Sequence, residues 1–220
     1  KLTSAYCSFV NGGKLIKPIM IDRIQDSEGN TIFNSETRKC SDCNKISFLS
    51  NEYPKIEDKF PQIFSKETAY QMTSILEGVV RRGTGKNLRD LKLDIGGKTG
   101  TTNNNTDAWF IGFTSKLAIG VYVGSDNPKP LGKNETGAKA ALPIFKDFIK
   151  EGIKKEEARP FKVADNILMM IVDPLTGQKA QFESKTTIIE SYKKNTIGDK
   201  SLVNLEINNR LKNNNILRFY

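Results

Sequence analysis

The sequence contains no histidine. That excludes Ser-His-Asp and Cys-His nucleophilic catalysis and any metal site that needs imidazole. A serine nucleophile working with this chain would have to use lysine as its base. Cysteine is scarce, with only Cys7, Cys40 and Cys43. Cys40-Ser41-Asp42-Cys43 has zinc-ligand spacing, but one further cysteine and no histidine cannot complete four soft ligands within one chain. The pair therefore reads as a local disulfide in an oxidising compartment, as free thiols, or as half of a metal site shared between molecules. Long apolar runs are also missing. The longest, Ile167-Leu168-Met169-Met170-Ile171-Val172, is far too short to span a bilayer. There is no initiator methionine and no secretory signal pattern, so an excised piece of a longer protein is expected.

What is present suits one good core with a small appendage: 220 residues, 37% of them hydrophobic, at a mean hydropathy of −0.45. The net charge is +9. The lysines are scattered and few aromatics sit among them, which fits solvated faces rather than a nucleic-acid surface. Charge of this sign would also raise the local concentration of an anionic lipid or cell-wall polymer.

Taken in order, Thr3 to Val10 reads as the end of a helix stopped by Asn11-Gly12-Gly13. Ile19 to Gln25 alternates as a strand, Ser27-Glu28-Gly29-Asn30 is a turn, and Thr31-Ile32-Phe33 returns. Residues 36–62 are polar and irregular, with Pro54 and Pro61, and read as a surface insertion. Ser65 caps a helix whose core stripe is Ala69, Met72, Ile75, Leu76, Val79 and Val80, with Gln71 and Glu77 outward. Leu88 and Leu91 pack the connector that follows. Strands over 95–102, 107–114 and 117–124, joined by an Asn-rich loop and a turn at Ser115-Lys116, predict an antiparallel meander. A last long helix over 138–154 carries Ala141, Ile144, Phe145, Phe148 and Ile149 on one face, with Pro143 in its first turns. Phe161-Lys162-Val163 and 167–172, followed by Asp173 to Gln178, suggest two strands around a turn. From Tyr192 the composition turns to lysine and asparagine and reads as a weakly ordered tail.

The meander carries the chemistry. Ile95-Gly96-Gly97-Lys98-Thr99-Gly100-Thr101-Thr102 places one cation and a run of hydroxyls on a strand whose glycines admit a close neighbour. Lys98-Thr99-Gly100 resembles the third active-site motif of the penicillin-interacting serine enzymes. Alone it would be a weak signal. Gly83-Thr84-Gly85 before it, and Asp107-Ala108-Trp109-Phe110-Ile111-Gly112-Phe113 and Val123-Gly124-Ser125-Asp126 with Gly132 after it, narrow the likeness. Together they resemble the transpeptidase domain of class A (bifunctional) penicillin-binding proteins, from about Leu2 to about Ile153 and more weakly through Ser191.

The resemblance implies an α+β fold, a partial penicillin-binding-protein/β-lactamase-like architecture. An antiparallel sheet carries packing helices, the last of them beside the N-terminal helix, and the N-terminal helical half is missing. It divides the chain into a transpeptidase portion over 1–157, a post-domain β segment over 158–191 and a polar tail over 192–220. It implies acyl transfer from a peptidoglycan stem peptide through a serine ester, with β-lactams as mimics. By position, Lys98 would set a positive charge beside the nucleophile and the substrate carboxylate. Thr99 and Thr101 would bind that carboxylate, the Thr101 N–H would be an oxyanion donor, and Gly100 would let substrate backbone lie against the strand edge. Lys98 and Thr101 are thus the expected catalytic residues, and Lys98, Thr99, Gly100 and Thr101 the expected substrate-binding ones. No cofactor and no metal are called for, and no nucleic-acid partner. The resemblance places the parent protein at the bacterial inner membrane, facing the periplasm through an N-terminal anchor outside this chain. A sheet lacking half its helices also predicts self-association.

The family's other two motifs, Ser-x-x-Lys and Ser-x-Asn, should precede Lys98, and nothing there fits. Ser191-Tyr192-Lys193-Lys194 and Ser125-Asp126-Asn127 match by pattern but stand on the wrong side in chain order. The nucleophile serine is therefore expected outside this chain, which alone should be inactive. Gly97-Lys98-Thr99 ends like a P-loop, but Lys92 occupies the first glycine position and a strand follows. Asp94 and Asp107 are not read as a glycosidase pair. The alternative reading is a non-catalytic wall-binding or scaffold protein that keeps the sheet; a β-lactamase is disfavoured by the motif context.

Overall fold

The computed structural model describes residues 1–36, 38–41, 43, 55–154, 158–181 and 186–194. The expected tail beyond 194, residues 37, 42 and 44–54 of the insertion, and residues 155–157 and 182–185 lie outside the described residues. Helix α1 (Leu2–Val10) ends where Asn11 N–H reaches Cys7 O and Gly13 N–H reaches Ser8 O. Gly12 and Gly13 sit at φ 80° and 90°, which side chains resist, so the glycine pair is what turns the chain. A small hairpin follows, β1 (Arg23–Gln25) with β2 (Thr31–Asn34), tied at its turn by the Asp26 carboxylate accepting from Asn30 and Glu28. The strand expected from Ile19 begins only at Arg23, because Ile19 to Ile21 find no partner strand among the described residues.

Within the insertion, β3 (Cys40–Ser41) pairs with β4 (Lys55–Ile56), and Cys40 and Cys43 form a disulfide. Of the readings open to the cysteine pair, this is the one the structure adopts. Cys7 is half-buried, and burial pushes its thiol above the usual cysteine range.

Helix α2 (Lys66–Arg82) starts at Ser65, whose Oγ accepts from Thr68 N–H at 3.2 Å. Glu67 in its first turn and Arg81 and Arg82 in its last complement the helix dipole. Its buried arc differs from the expected stripe. Ala69, Thr73, Leu76, Gly78 and Val80 are buried, while Ile75 is 54% exposed. A second neighbour also meets the helix. Strands β8 (Ile167–Val172) and β9 (Ile188–Lys193) form an antiparallel hairpin against α2. Gln71 Nε2 donates to Ser191 O at 3.0 Å and Lys193 Nζ to Thr68 Oγ1 at 2.7 Å. Arg82 pairs with Glu190. Gln71, expected outward, is thereby a contact residue. Tyr192 and Lys193, expected in the tail, belong to β9, and Phe161 to Val163 form no strand; Phe161 instead buries its ring against Phe113.

The central sheet is the meander expected: β5 (Gly96–Thr101), β6 (Ala108–Phe113) and β7 (Ala118–Val123), antiparallel and in the order β5-β6-β7. Gly96 faces Phe113 and Thr101 faces Ala108 across the first pair, and Ala108 faces Val123 across the second. Alternation sends Ala108, Phe110 and Gly112 to one face, where they meet helix α3 (Leu142–Gly152). Phe110 and Phe145 stack edge-on there at 4.9 Å within a cluster that includes Leu88, Ile95, Leu142 and Ile149. The other face, with Phe113 and Ala118, meets α1 and α2 through Tyr6, Phe9 and Leu76. So α3 and α1 lie on opposite faces of the sheet, not side by side as expected.

The last helix opens as a widened turn over Gly137–Ala141, in which Leu142 N–H reaches back to Gly137 O. Pro143 has no N–H to offer Lys139, so the ordinary helical bond is unavailable at that step. Ile144 and Phe148, placed on the core stripe by periodicity, are 52% and 55% exposed, since only one arc of α3 touches the sheet. Among the described residues no helix is long and apolar enough to cross a membrane.

Candidate active site

Strand β5 forms one edge of the central sheet, hydrogen-bonded to β6 alone among the described residues. Its first half is buried and its second half is open: Gly96 and Gly97 are enclosed, Lys98 and Thr101 are exposed, and Thr99 and Gly100 are half-buried. A Cβ on Gly97 would lie 2.8 Å from both Ile111 O and the Phe110 ring, so glycine is what lets β5 seat against β6.

The chain reaches β5 by passing from one face of the sheet to the other. Helix α2 lies on the Phe113 side, and the turn at Lys86–Leu91 buries Leu88 and Leu91 on the Phe110 side. Gly83-Thr84-Gly85 makes the crossing. The N–H groups of Gly83 and Gly85 both donate to Val79 O, at 3.1 and 2.9 Å, which fixes the loop to the helix end. The Thr84 hydroxyl then stands 3.0 Å from that of Thr99.

The polar groups of β5 are individually supported. Lys98 Nζ donates to Thr99 O at 2.7 Å, folding the cation along its own strand. Thr101 Oγ1 accepts from Gly137 N–H at 3.1 Å. Beyond Thr101, the Asp107 carboxylate gathers the connection to β6. It accepts from Tyr122 O–H at 2.7 Å and from the Thr102 and Thr106 hydroxyls at 3.2 Å each. These bonds, Tyr122 first, hold its carboxyl below the usual aspartate range and push the Tyr122 phenol up.

Behind the start of β5, Arg81 bridges Glu77 and Asp94, the latter at 3.7 Å. Glu77, expected outward, is turned inward by this pairing. Burial raises both carboxyls above their ordinary values, and it pushes the neighbouring Tyr70 phenol up to about 12. A raised folded-state value means the folded chain holds its proton to higher pH than the unfolded chain does. The stability Glu77 contributes is full below its unfolded value and is lost as pH rises through its folded one. Glu77→Gln removes that titration. In thermal melts the parent should therefore lose stability relative to the variant as pH climbs from the ordinary glutamate range; a constant difference would contradict the assignment.

The structure brings Lys98, Thr99, Gly100 and Thr101 together on the open half of β5. It keeps the pattern matches apart. Ser191 is buried in β9, with Lys193 bonded to Thr68 and Lys194 Nζ to Asp165 O. Ser125-Asp126-Asn127 lies beyond β7, where Ser125 Oγ accepts from Asn127 N–H. Asp94 and Asp107 have separate partners at opposite ends of β5. Sequence reasoning passed over Thr84, Gly137 and Tyr122 as site residues. Only Thr84 had a signal available, its place between two glycines.

The family model described as "Penicillin binding protein transpeptidase domain" matches residues 1–150. Penicillin-binding protein 1A of Rickettsia felis is 39% identical over 100% of this chain and 27% of its own length. The Pseudomonas aeruginosa protein of the same name is 30% identical over 88% of this chain and 27% of its own. The crystal structure of penicillin-binding protein 1A from Haemophilus influenzae superposes with a TM-score of 0.73 at 31% identity, covering 92% of this chain and 32% of that one. The chain thus spans about a quarter of the length of these curated relatives. By the match over 1–150 and the order of its motifs around β5, it belongs to the penicillin-binding protein transpeptidase-domain family.

Proposed function

We propose that this chain is the β5-bearing portion of a peptidoglycan synthase that cross-links stem peptides by D,D-transpeptidation. The observation that carries the reading is the open half of β5, where Lys98, Thr99 and Thr101 line an edge with no neighbouring strand among the described residues. In this reading a serine from elsewhere in the protein attacks the D-Ala-D-Ala carbonyl and D-alanine leaves. The ester is then taken by an amine of a second stem. Lys98 supplies positive charge to the nucleophile and to the peptide's terminal carboxylate. Thr99 and Thr101 donate to that carboxylate, and the Thr101 N–H is one of the donors to the oxyanion. Gly100 offers backbone to the peptide without a side chain in the way. β-Lactams enter as mimics of the dipeptide. The parent protein would also carry a glycosyltransferase and a membrane anchor, facing the periplasm; the Cys40–Cys43 disulfide supports an oxidising compartment.

The test is labelling with a fluorescent penicillin followed by denaturing electrophoresis. The whole protein that contains this chain should be labelled covalently, and the 220-residue chain alone should not. Lys98→Ala in the whole protein should slow labelling by about 10²–10³-fold, as loss of a preorganised electrostatic group does. A whole protein that never labels would favour the scaffold reading, and a labelled isolated chain would place the nucleophile within it.

A further inference from the structure

We propose that Thr84 makes the β5 edge selective for a free carboxylate. Its hydroxyl donates to Thr99 Oγ1 and so commits the Thr99 proton to the bound ligand. This rests on the reading of β5 as a peptide-terminus site.

A threonine hydroxyl has one proton to give and two lone pairs to receive with. At Thr101 the direction is fixed, because Gly137 N–H can only donate to Oγ1. The oxygen is used as an acceptor from behind, and its proton is left for the open side. At the Thr84–Thr99 contact the 3.0 Å separation allows either direction. Chemistry selects one. If Thr99 donated to Thr84, it would present lone pairs to a ligand carboxylate, which also has only lone pairs. If Thr84 donates, Thr99 and Thr101 each have an outward O–H. The two are two residues apart on one face of β5, placed to serve the two oxygens of a carboxylate. An ester cannot use the arrangement as well, since it lacks the anionic pair of acceptors.

Thr84 is well held for this role. Gly83 and Gly85 anchor its loop to Val79 O, and a Cβ on Gly85 would lie 3.2 Å from Val80 Cα. Thr84 itself is exposed at the open edge. Its effect on a ligand passes through Thr99, which makes it a positioning residue.

The experiment compares acylation of the whole protein by benzylpenicillin and by its methyl ester. The parent should prefer the acid. Thr84→Val, nearly isosteric at an exposed position, should lower the acid-to-ester ratio by about tenfold through loss of one oriented hydrogen bond to a charged group. The acid should be slowed more than the ester, and Thr84→Ser should restore the ratio. A general disturbance of the loop would slow both ligands alike and leave the ratio unchanged, which overturns the proposal. A Thr84→Val protein that keeps the parent's ratio overturns it as well, while leaving β5 as the binding strand. A parent protein acylated by neither ligand would sink the reading of β5 itself, and this inference with it.

Discussion

Replacing Phe145 with alanine should lower the unfolding free energy by about 3–5 kcal/mol, the cost typical of deleting a buried aromatic side chain. Phe145 is 0% exposed. Its ring meets Phe110 edge-on at 4.9 Å and fills the space over Gly112, where a Cβ would lie 2.6 Å from the ring. Gly112 has no side chain with which to refill that space, and Phe110 is already fully buried. A loss of this size is a large fraction of the stability margin of an ordinary domain. Urea denaturation should therefore show a much lower midpoint, or a chain without a cooperative transition. A change below about 1 kcal/mol, the size of an average point substitution, would mean that α3 is not seated on the sheet as described. Phe148, one turn along the same helix and 55% exposed, supplies the contrast. Its replacement by alanine removes little buried area and should cost a small fraction of the Phe145 effect.

Gly137→Ala should be the most damaging single-methyl addition near the site. The new Cβ would press on Trp109 O and lie 2.5 Å from Gly100 O and 3.0 Å from Gly100 N. These are backbone atoms held in the β5–β6 ladder, so they cannot swing aside as a side chain can. Overpacking of this kind costs about 1–3 kcal/mol. The relief is for residue 137 to withdraw, which would also remove its N–H from Thr101 Oγ1. The variant is therefore expected to lose both thermal stability and the rate at which the whole protein is acylated by penicillin. Gly152→Ala is the control, because the nearest atom to its added Cβ is Phe148 Cε1 at 3.6 Å, an ordinary contact. If Gly137→Ala melts and reacts like Gly152→Ala, the close approach of the Gly137 turn to β5 is wrong.

The parts of this fold legible in the sequence were those set by local rules. Strand alternation and short turns placed β5, β6 and β7, and the Ser65 cap and the Gly12-Gly13 stop placed two helix ends. What periodicity misplaced was set by neighbours far along the chain. Ile75, Ile144 and Phe148 satisfy a helical stripe, yet are exposed. Gln71 and Glu77 look like surface residues, yet are drawn inward by Ser191 O and Arg81. The site divides in the same way. Lys98, Thr99, Gly100 and Thr101 stand in one short string and could be read directly. Gly137 reaches Thr101 from 36 residues downstream, across a loop whose path no local pattern specifies. Tyr122 meets Asp107 only because β7 returns to the register that sets Trp109 opposite it.

The succession of β5, β6 and β7 without a crossover bears on how the chain assembles. Each strand pairs with the next one in sequence, so little loop entropy stands against closing the ladder, and pairings of such low contact order form fast. Docking α1 over Gly120 must instead bring together segments more than a hundred residues apart. Pairing within residues 96–123 is therefore expected early, with β5 among the first native elements and the outer helical layer docking later.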